Sequence, residues 1–244
     1  MERQIDRLLP SLEFTYDWYR ALLDRLQHEG YAFRTFSEAV ESNTVLLRHD
    51  VDLSIEKALT TARIEAERGI EATYCVLLTS PLYNPLEGAV RDKLQAIESL
   101  GHEVALHFST HEYWDDRPED GAIESKVEAE REILGTVLEQ TPRTVSFHIP
   151  PNWVLGRSFD EFTSTYNPAY FNEIEYVADS GQRWRDSTPS VTDLSSTVQI
   201  LTHPGLWGET DRQFEECVDR NVTEACLRVD RKAQREFCEG AYSQ

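Results

Sequence analysis

Apolar residues occur along the chain in short continuous runs that alternate with longer stretches of helical spacing. The short runs predict buried strands at 45–50, 72–78, 102–107, 144–148, 174–178 and 198–202. Apolar side chains three and four residues apart predict helices at 12–30, 55–69, 90–100, 123–138 and 214–237. Strands that alternate with helices of about ten to twenty residues are typical of an α/β fold with a parallel sheet or barrel.

Polar, titratable residues stand where several of these strands end. Asp50 and Asp52 close the first strand, His107 the third, His148 the fourth, and His203 follows the last. In parallel α/β folds, ligands bind at the carboxyl ends of the strands. The pattern therefore predicts that the chemistry of this chain lies at one rim of the sheet.

The length of 244 residues favours a single domain over 1–244, with an N-terminal helix (about 5–30) and a C-terminal helix (about 210–240) packed on it. No apolar run approaches the roughly 20 residues that span a bilayer. Residues 1–6 lead into no apolar signal core. The four cysteines form no Cys-x-x-Cys pair, which predicts free thiols in a reducing compartment and favours the cytoplasm.

Acidic residues outnumber basic ones by 44 to 24, which gives a formal charge of −20. Such a surface repels nucleic-acid phosphates, so nucleic-acid binding is disfavoured. Two interpretations are open: an ordinary acidic cytosolic protein, or a halophilic protein whose carboxylate surface stays hydrated in high salt. Because only four of the cations are lysines, we favour the halophilic interpretation.

Two carboxylates, Asp50 and Asp52, lie two residues apart in an extended segment. They therefore face the same side, whereas His49 points away. Close carboxylates repel each other unless a cation or a proton lies between them, so the pair indicates a cation-binding pocket. The alternative is a helix N-terminus, where the dipole favours two acids.

Two histidines, His107 and His111, are four residues apart, a spacing that places two imidazoles on one face of a helical turn. Two imidazoles and one carboxylate form a three-ligand site with a place for water, as in catalytic metal centres. Chance pairs with this spacing are common, so a site without metal is the alternative.

Five segments, taken in order, resemble the motifs of the NodB-type polysaccharide deacetylases of carbohydrate esterase family 4. They are 48–52, 101–111, 147–151, 179–184 and 201–204. The opening Arg-His-Asp-Val-Asp is most similar to deacetylase-like proteins encoded beside genes for surface-polysaccharide synthesis. The resemblance covers residues 45–204 and implies a distorted (β/α) barrel, commonly of seven strands.

The resemblance also implies roles for individual residues. Asp52, His107 and His111 match the ligands of a divalent metal; zinc is the expected ion, with Co²⁺, Mn²⁺, Ni²⁺ and Fe²⁺ as alternatives. Asp50 matches the catalytic base, which takes a proton from the attacking water. His203 matches the general acid, which protonates the departing amine.

Three further residues match positions around this acid and the acyl pocket. Asp179 matches the carboxylate that tunes His203, since a nearby negative charge favours the imidazolium form. Trp184 and Leu201 match the residues that line a small pocket for the acyl methyl group.

The third motif departs from the family pattern. His148 stands in place of an arginine and is expected to contact the substrate. Arg48, which shares the inward face with Asp50, is also expected to contact the substrate and to replace that arginine. Pro151 aligns with a tyrosine whose backbone N–H helps to hold the oxyanion, and proline has no N–H. Asn152 is therefore expected to substitute for that tyrosine.

The residues and the resemblance together favour a metal-dependent hydrolase that removes an N-acetyl group from an amino sugar or glycan precursor. Two alternatives stay open: a catalytically inactive deacetylase-like protein for sugar binding or assembly, and an amidohydrolase of a non-sugar C–N bond. The expected partner is a small-molecule or glycan substrate, with no nucleic acid and no membrane span.

Overall fold

The computed structural model describes residues 9–119 and 121–238. Its helices are α1 (Tyr16–His28), α2 (Ile55–Ala66), α3 (Gly88–Ser99), α4 (Ala122–Gly135), α5 (Pro168–Phe171) and α6 (Phe214–Ala233). Its strands are β1 (Ala32–Arg34), β2 (Thr44–Val51), β3 (Thr73–Leu77), β4 (Glu103–Ser109), β5 (Thr144–His148), β6 (Thr163–Ser164), β7 (Glu175–Ala178) and β8 (Thr197–Thr202).

The strand pairs of the sheet all run parallel. Seven strands follow one path in the order β6-β5-β4-β3-β2-β8-β7, and β1 pairs with the first part of β2 beside this path. In the described residues β6 and β7 form no pair, so the barrel is open between them. The predicted α/β fold on a distorted, seven-stranded (β/α) barrel is confirmed.

The predicted strands are all present, with ends that differ by one or two residues. Strands β1 and β6 and helix α5 were not predicted. They contain three, two and four residues, too few to show a period of apolar positions. Their positions depend on pairing partners that are distant along the chain.

Strand β2 lies in the middle of the sheet, and all eight of its residues are buried. Its second half pairs with β3, and its first six residues pair with β8. Because side chains alternate along a strand, Arg48 and Asp50 face one side of the sheet and His49 faces the other. Both sides are covered, so each of these polar side chains needs a partner inside the protein.

Helix α2 begins directly after the carboxyl end of β2. Ser54 has the extended backbone of an N-cap, and its side chain accepts a hydrogen bond from the backbone N–H of Lys57. Ile55, Ala58 and Ala62 are fully buried, which is the helical spacing predicted from the sequence. This N-cap at Ser54 fixes the point at which the chain leaves the rim.

Helix α1 packs on the loop that follows β8 through aromatic side chains. Trp18 stacks on Trp207 with ring centroids 5.8 Å apart, and Phe14 lies 4.7 Å from the same ring. The backbone N–H of Tyr16 donates a hydrogen bond to the carbonyl of Gly208. These contacts bury Trp207 and hold the loop of residues 203–208 against the sheet.

The predicted terminal helices correspond in part to α1 and α6. Residues 9–15 and 210–213 were expected to be helical, but α1 begins only at Tyr16 and α6 only at Phe214. Residues 1–8 and 239–244 lie outside the described residues, and so do the outer parts of both predicted helices. The single-domain organisation stays a prediction. Within 9–119 and 121–238, no helix combines the length and apolar character needed to cross a membrane.

Candidate active site

Three donor atoms converge at the carboxyl ends of β2, β4 and β5. Asp52 Oδ1 lies 3.2 Å from His107 Nε2 and 3.3 Å from His148 Nδ1. The two imidazole nitrogens are 3.2 Å apart. We call Asp52, His107 and His148 the donor trio.

The geometry of the donor trio fits a divalent metal ion. Donors bound at about 2.0–2.1 Å to a tetrahedral ion lie about 3.3 Å from one another, which matches these separations. Asp52 Oδ1 is buried, so its negative charge requires a positive or hydrogen-bonding partner inside the protein. Two imidazoles and one carboxylate also form a donor set that suits zinc and its first-row neighbours.

His111 lies outside the donor trio. Strand β4 continues through Ser109, so His107 lies in a strand and His111 in the 3₁₀ turn that follows. The predicted helical turn with both imidazoles on one face is therefore wrong. His111 is exposed, and its Nε2 lies 3.2 Å from the backbone carbonyl oxygen of His148. Its assignment as a metal ligand stays a prediction.

Arg48 holds Asp50 in a buried ion pair with two contacts. Arg48 Nε and Nη2 lie 2.8 and 2.7 Å from the two carboxylate oxygens of Asp50. Burial raises the pKa of Asp50, but Arg48 acts in the opposite direction and the net pKa is lowered. Asp50 is therefore ionised at neutral pH, and its Oδ2 lies 3.6 Å from His107 Nε2.

Two residues that the sequence analysis did not name hold Arg48 in turn. Arg48 donates to the Tyr166 hydroxyl at 2.8 Å and to Gln199 Oε1 at 3.0 Å. Gln199 could have been identified from the sequence, because it is a polar residue between the apolar residues Val198 and Ile200 of a predicted strand. No sequence feature marks Tyr166, since it lies in a loop after the unpredicted strand β6.

His203 and Asp179 form a second pair beside Asp52. His203 Nδ1 lies 2.5 Å from Asp179 Oδ1, and the His203 backbone N–H donates to Asp179 Oδ2. Burial lowers the pKa of His203, but the carboxylates of Asp179 and, to a smaller extent, of Asp52 and Asp50 raise it more, to about 9. The imidazolium form is therefore the main one at neutral pH, with Nε2 3.9 Å from Asp52 Oδ2.

Trp207 is a third member of this arrangement, and the sequence analysis missed it. Its Nε1–H donates to Asp179 Oδ2 at 2.9 Å. Asp179 is fully buried, so each of these hydrogen bonds replaces one that water would otherwise make. Trp207 lies at the end of a 3₁₀ turn, where no periodic pattern marks it.

The remaining predicted substrate-binding residues lie in different surroundings. Leu201 is buried in β8 beside Arg48 of β2. Trp184 is buried beside Trp18 and Trp207, and its ring centroid lies 6.2 Å from that of Trp18. Asn152 is exposed in the turn after β5, and its side chain makes no hydrogen bond within the part of the chain that the structure describes. Their contacts with a substrate stay predictions.

The opposite face of β2 carries a separate buried network. His49 Nε2 lies 2.7 Å from Glu65 Oε1 on α2, and His49 Nδ1 lies 2.7 Å from the Thr202 hydroxyl on β8. The hydroxyls of Tyr19 and Tyr74 also donate to Glu65. His49 therefore points away from Asp50, as predicted, and ties β2 to its neighbours beneath the candidate site.

Comparison with known proteins finds similarity only among solved structures. No family model matches the chain, and no curated protein matches it. A CE4 family pseudoenzyme from Bacillus anthracis is 16% identical with a TM-score of 0.42; the match covers 75% of this chain and 60% of that one. A peptidoglycan N-acetylglucosamine deacetylase is 14% identical with a TM-score of 0.46, over 83% and 90% of the two chains.

A family 4 acetyl xylan esterase from Clostridium thermocellum, in complex with a cobalt ion, is 16% identical with a TM-score of 0.39. That match covers 77% of this chain and 83% of the esterase. These structures represent the family that the sequence motifs resemble. Since likeness of fold does not determine activity, we base the function on the residues of the site.

Proposed function

We propose that this protein is a metal-dependent hydrolase that removes an N-acetyl group from an amino sugar or glycan precursor. The observation that carries the proposal is a donor trio with an ionised carboxylate and an imidazolium beside it. Asp50 lies 3.6 Å from one member of the trio, and His203 lies 3.9 Å from another. The motif resemblance supports the class of substrate.

In this proposal Asp52, His107 and His148 hold the ion, and His111 is the alternative third ligand. Zinc is the expected ion because three N and O ligands leave an open position that it commonly uses; Co²⁺, Mn²⁺, Ni²⁺ and Fe²⁺ are alternatives. When bound, the ion supplies Lewis acidity to the scissile carbonyl and to water.

Asp50 acts as the general base and accepts the proton of the water that attacks the acyl carbonyl. Arg48 keeps this carboxylate ionised, and its two parallel N–H···O bonds fix both carboxylate oxygens. Arg48 thereby supplies, from β2 itself, the arginine that the third motif lacks.

His203 acts as the general acid and gives its Nε2 proton to the departing amine. Asp179 binds Nδ1, so that Nε2 is the nitrogen directed to the site and the imidazole stays protonated. Trp207 and the His203 backbone N–H hold Asp179 in position for this role.

An inactive sugar-binding or assembly protein is the second candidate. The feature that favours it is the third motif, where His148 replaces an arginine and Pro151 cannot donate a backbone hydrogen bond. We favour the hydrolase because the base, the acid and their positioning partners are all present.

We also propose a cytoplasmic location, supported by the four free cysteines, of which Cys75 and Cys217 are buried. A cytoplasmic hydrolase would meet a glycan precursor rather than a finished cell-wall polymer. The substrate is therefore expected among soluble, nucleotide-linked or lipid-linked sugars.

The test is acetate release by metal-loaded protein from N-acetylated sugars, UDP-linked N-acetyl sugars and non-sugar N-acetyl amines. We expect release from at least one sugar compound and its loss in Asp50→Asn. Bound metal without acetate from any compound would contradict the hydrolase and favour the binding protein. Acetate from the non-sugar amines alone would contradict the sugar substrate.

A further inference from the structure

A cavity lies beside the loop of residues 203–208, outside the donor trio and its acid–base partners. It has a volume of about 220 Å³ and is lined by residues of α1, α2 and α6, of the loop, and of the segment 209–212 that leads from the loop to α6. The charged groups around it are Lys57, Arg212, Arg220, Glu209 and Glu224. We call it the loop cavity. None of its charged groups takes part in the proposed reaction.

The loop cavity gathers three cations in a chain that carries 24 basic and 44 acidic residues. Arg220 is paired, with Nε 2.8 Å from Glu224 Oε1. Lys57 Nζ donates only to the carbonyl of Gly205, at 2.9 Å. In the described residues, neither Lys57 nor Arg212 forms an ion pair with a carboxylate.

These cations are close enough to repel one another. Burial lowers the pKa of Lys57, and the charges of Arg220 and Arg212 lower it further, whereas Glu224 and Cys217 act in the opposite direction. Glu209 and Glu224 are exposed. Glu224 offsets part of this effect, but the partly buried Lys57 forms no direct ion pair with a described carboxylate, the partner that a charge away from water requires.

The loop that borders the cavity has little freedom to move. The Gly205 carbonyl accepts hydrogen bonds from Lys57 Nζ and from Asn221 Nδ2. A Cβ at Gly205 would lie 2.6 Å from Leu53 Cβ, so a larger residue does not fit. The cavity is thus bordered by a fixed loop, with Lys57 on α2, Arg220 on α6 and Arg212 in the segment that leads into α6.

We propose that the loop cavity binds a small oxyanion, either free phosphate or the phosphate group of an ester, between Lys57 and Arg212. Arginine presents a planar fork that matches phosphate oxygens, and a lysine ammonium adds up to three donors. Such a ligand would form direct ion pairs with two cations that have none with the described carboxylates, although Glu209 and Glu224 also line the cavity. The site is separate from the donor trio, so it does not depend on the proposed hydrolase activity.

The first test is calorimetric titration of inorganic phosphate into the full chain at constant ionic strength. We expect saturable binding, weakened about tenfold or more by Lys57→Gln and also by Arg212→Gln, because each loses a charge-assisted hydrogen bond. The control is Arg63→Gln, an exposed arginine on the same helix as Lys57, which should bind as the parent does. Circular dichroism of each variant checks that it is folded.

Three results would overturn the proposal: no saturable binding to the parent, equal weakening by Arg63→Gln, or binding that is lost in a His107→Ala, His148→Ala double variant. The last result would place phosphate at the donor trio instead. A parallel titration with UMP distinguishes the two sources. Binding of UMP that also depends on Lys57 would assign the site to a phosphate ester, and binding of inorganic phosphate alone would assign it to the free ion.

Discussion

At the level of single residues, the choice of third metal ligand lies between His148 and His111. His148 Nδ1 already faces Asp52 and His107, whereas His111 Nε2 faces a backbone carbonyl. We predict that His107→Ala and His148→Ala lose most of the bound metal and that His111→Ala keeps it. Elemental analysis of metal-loaded protein measures this, with the exposed His28→Ala as control. Metal lost in His111→Ala and kept in His148→Ala would restore the ligand expected from the sequence.

Asp50 and Asp52 give a second prediction, because two neighbouring carboxylates are assigned different roles. Asp52→Asn should weaken metal binding, since an amide is a poorer ligand than a carboxylate. Asp50→Asn should keep the metal and lower turnover by about 10² to 10⁴-fold, the usual contribution of a general base. Metal content and acetate release are measured on the same two preparations. Loss of metal in Asp50→Asn with metal retained in Asp52→Asn would exchange the two roles.

The pH profile tests the pair of His203 and Asp179. Burial lowers the pKa of His203, but the carboxylates of Asp179, Asp52 and Asp50 raise it from 6.5 to about 9, so the acid form is present below about pH 9 and is lost above it. Asp179→Asn removes that charge, and the basic limb of kcat should move down by roughly one to two pH units. The exposed Asp193→Asn is the control and should leave the limb in place. An unmoved basic limb in Asp179→Asn would show that His203 is not the acid.

The sequence identified most residues of the site because short strands bring neighbouring motifs to one rim. Asp50, Asp52, His107 and His203 were predicted together and lie together. Trp207 was missed because its contact with Asp179 spans the long separation between two loops, which no local pattern reports.

At the level of elements, the parallel α/β architecture could be predicted from the alternation of apolar runs and helical spacing, but the strand order and the exact ends of the elements could not. The carboxyl end of strand β4 is one such boundary, and it decides where His107 and His111 lie in the candidate site. The spacing of His107 and His111 is compatible with a helical turn and also with the end of a strand. In the structure, pairing of β4 with β5 extends the strand to Ser109. Pairing between distant segments, such as Ser109 with His148, is decided by tertiary packing rather than by local sequence.

Helix α2 gives a prediction at this scale. The Ser54 side chain accepts the hydrogen bond of the Lys57 backbone N–H, which otherwise has no partner inside the helix. Ser54→Ala should therefore lower the free energy of unfolding by about 1 kcal/mol. The control is Ser125→Ala, an exposed serine within α4, which should change stability little. Equal unfolding curves in urea for Ser54→Ala and the parent would contradict a stabilising cap.

At the level of the whole molecule, net charge is the property that the fold does not explain. A formal charge of −20 on 244 residues means that most surface carboxylates repel one another. The ion pairs at the surface, such as Arg20 with Asp17 and Arg68 with Asp24, leave a large excess of acid. Screening by salt is the general way to reduce this repulsion, since the Debye length falls from about 10 Å at 0.1 M to about 3 Å at 1 M.

The halophilic interpretation therefore predicts that the unfolding temperature rises as KCl is increased from low concentration into the molar range. Screening weakens repulsion more in the compact folded state, where the carboxylates are closest, than in the expanded unfolded chain. Thermal unfolding followed by circular dichroism measures the effect, and an equal osmolality of sucrose controls for preferential exclusion. A rise that sucrose does not reproduce supports adaptation to salt. A midpoint that stays constant or falls with KCl would contradict it and favour an ordinary acidic protein, while the donor trio and its proposed chemistry would stand unchanged.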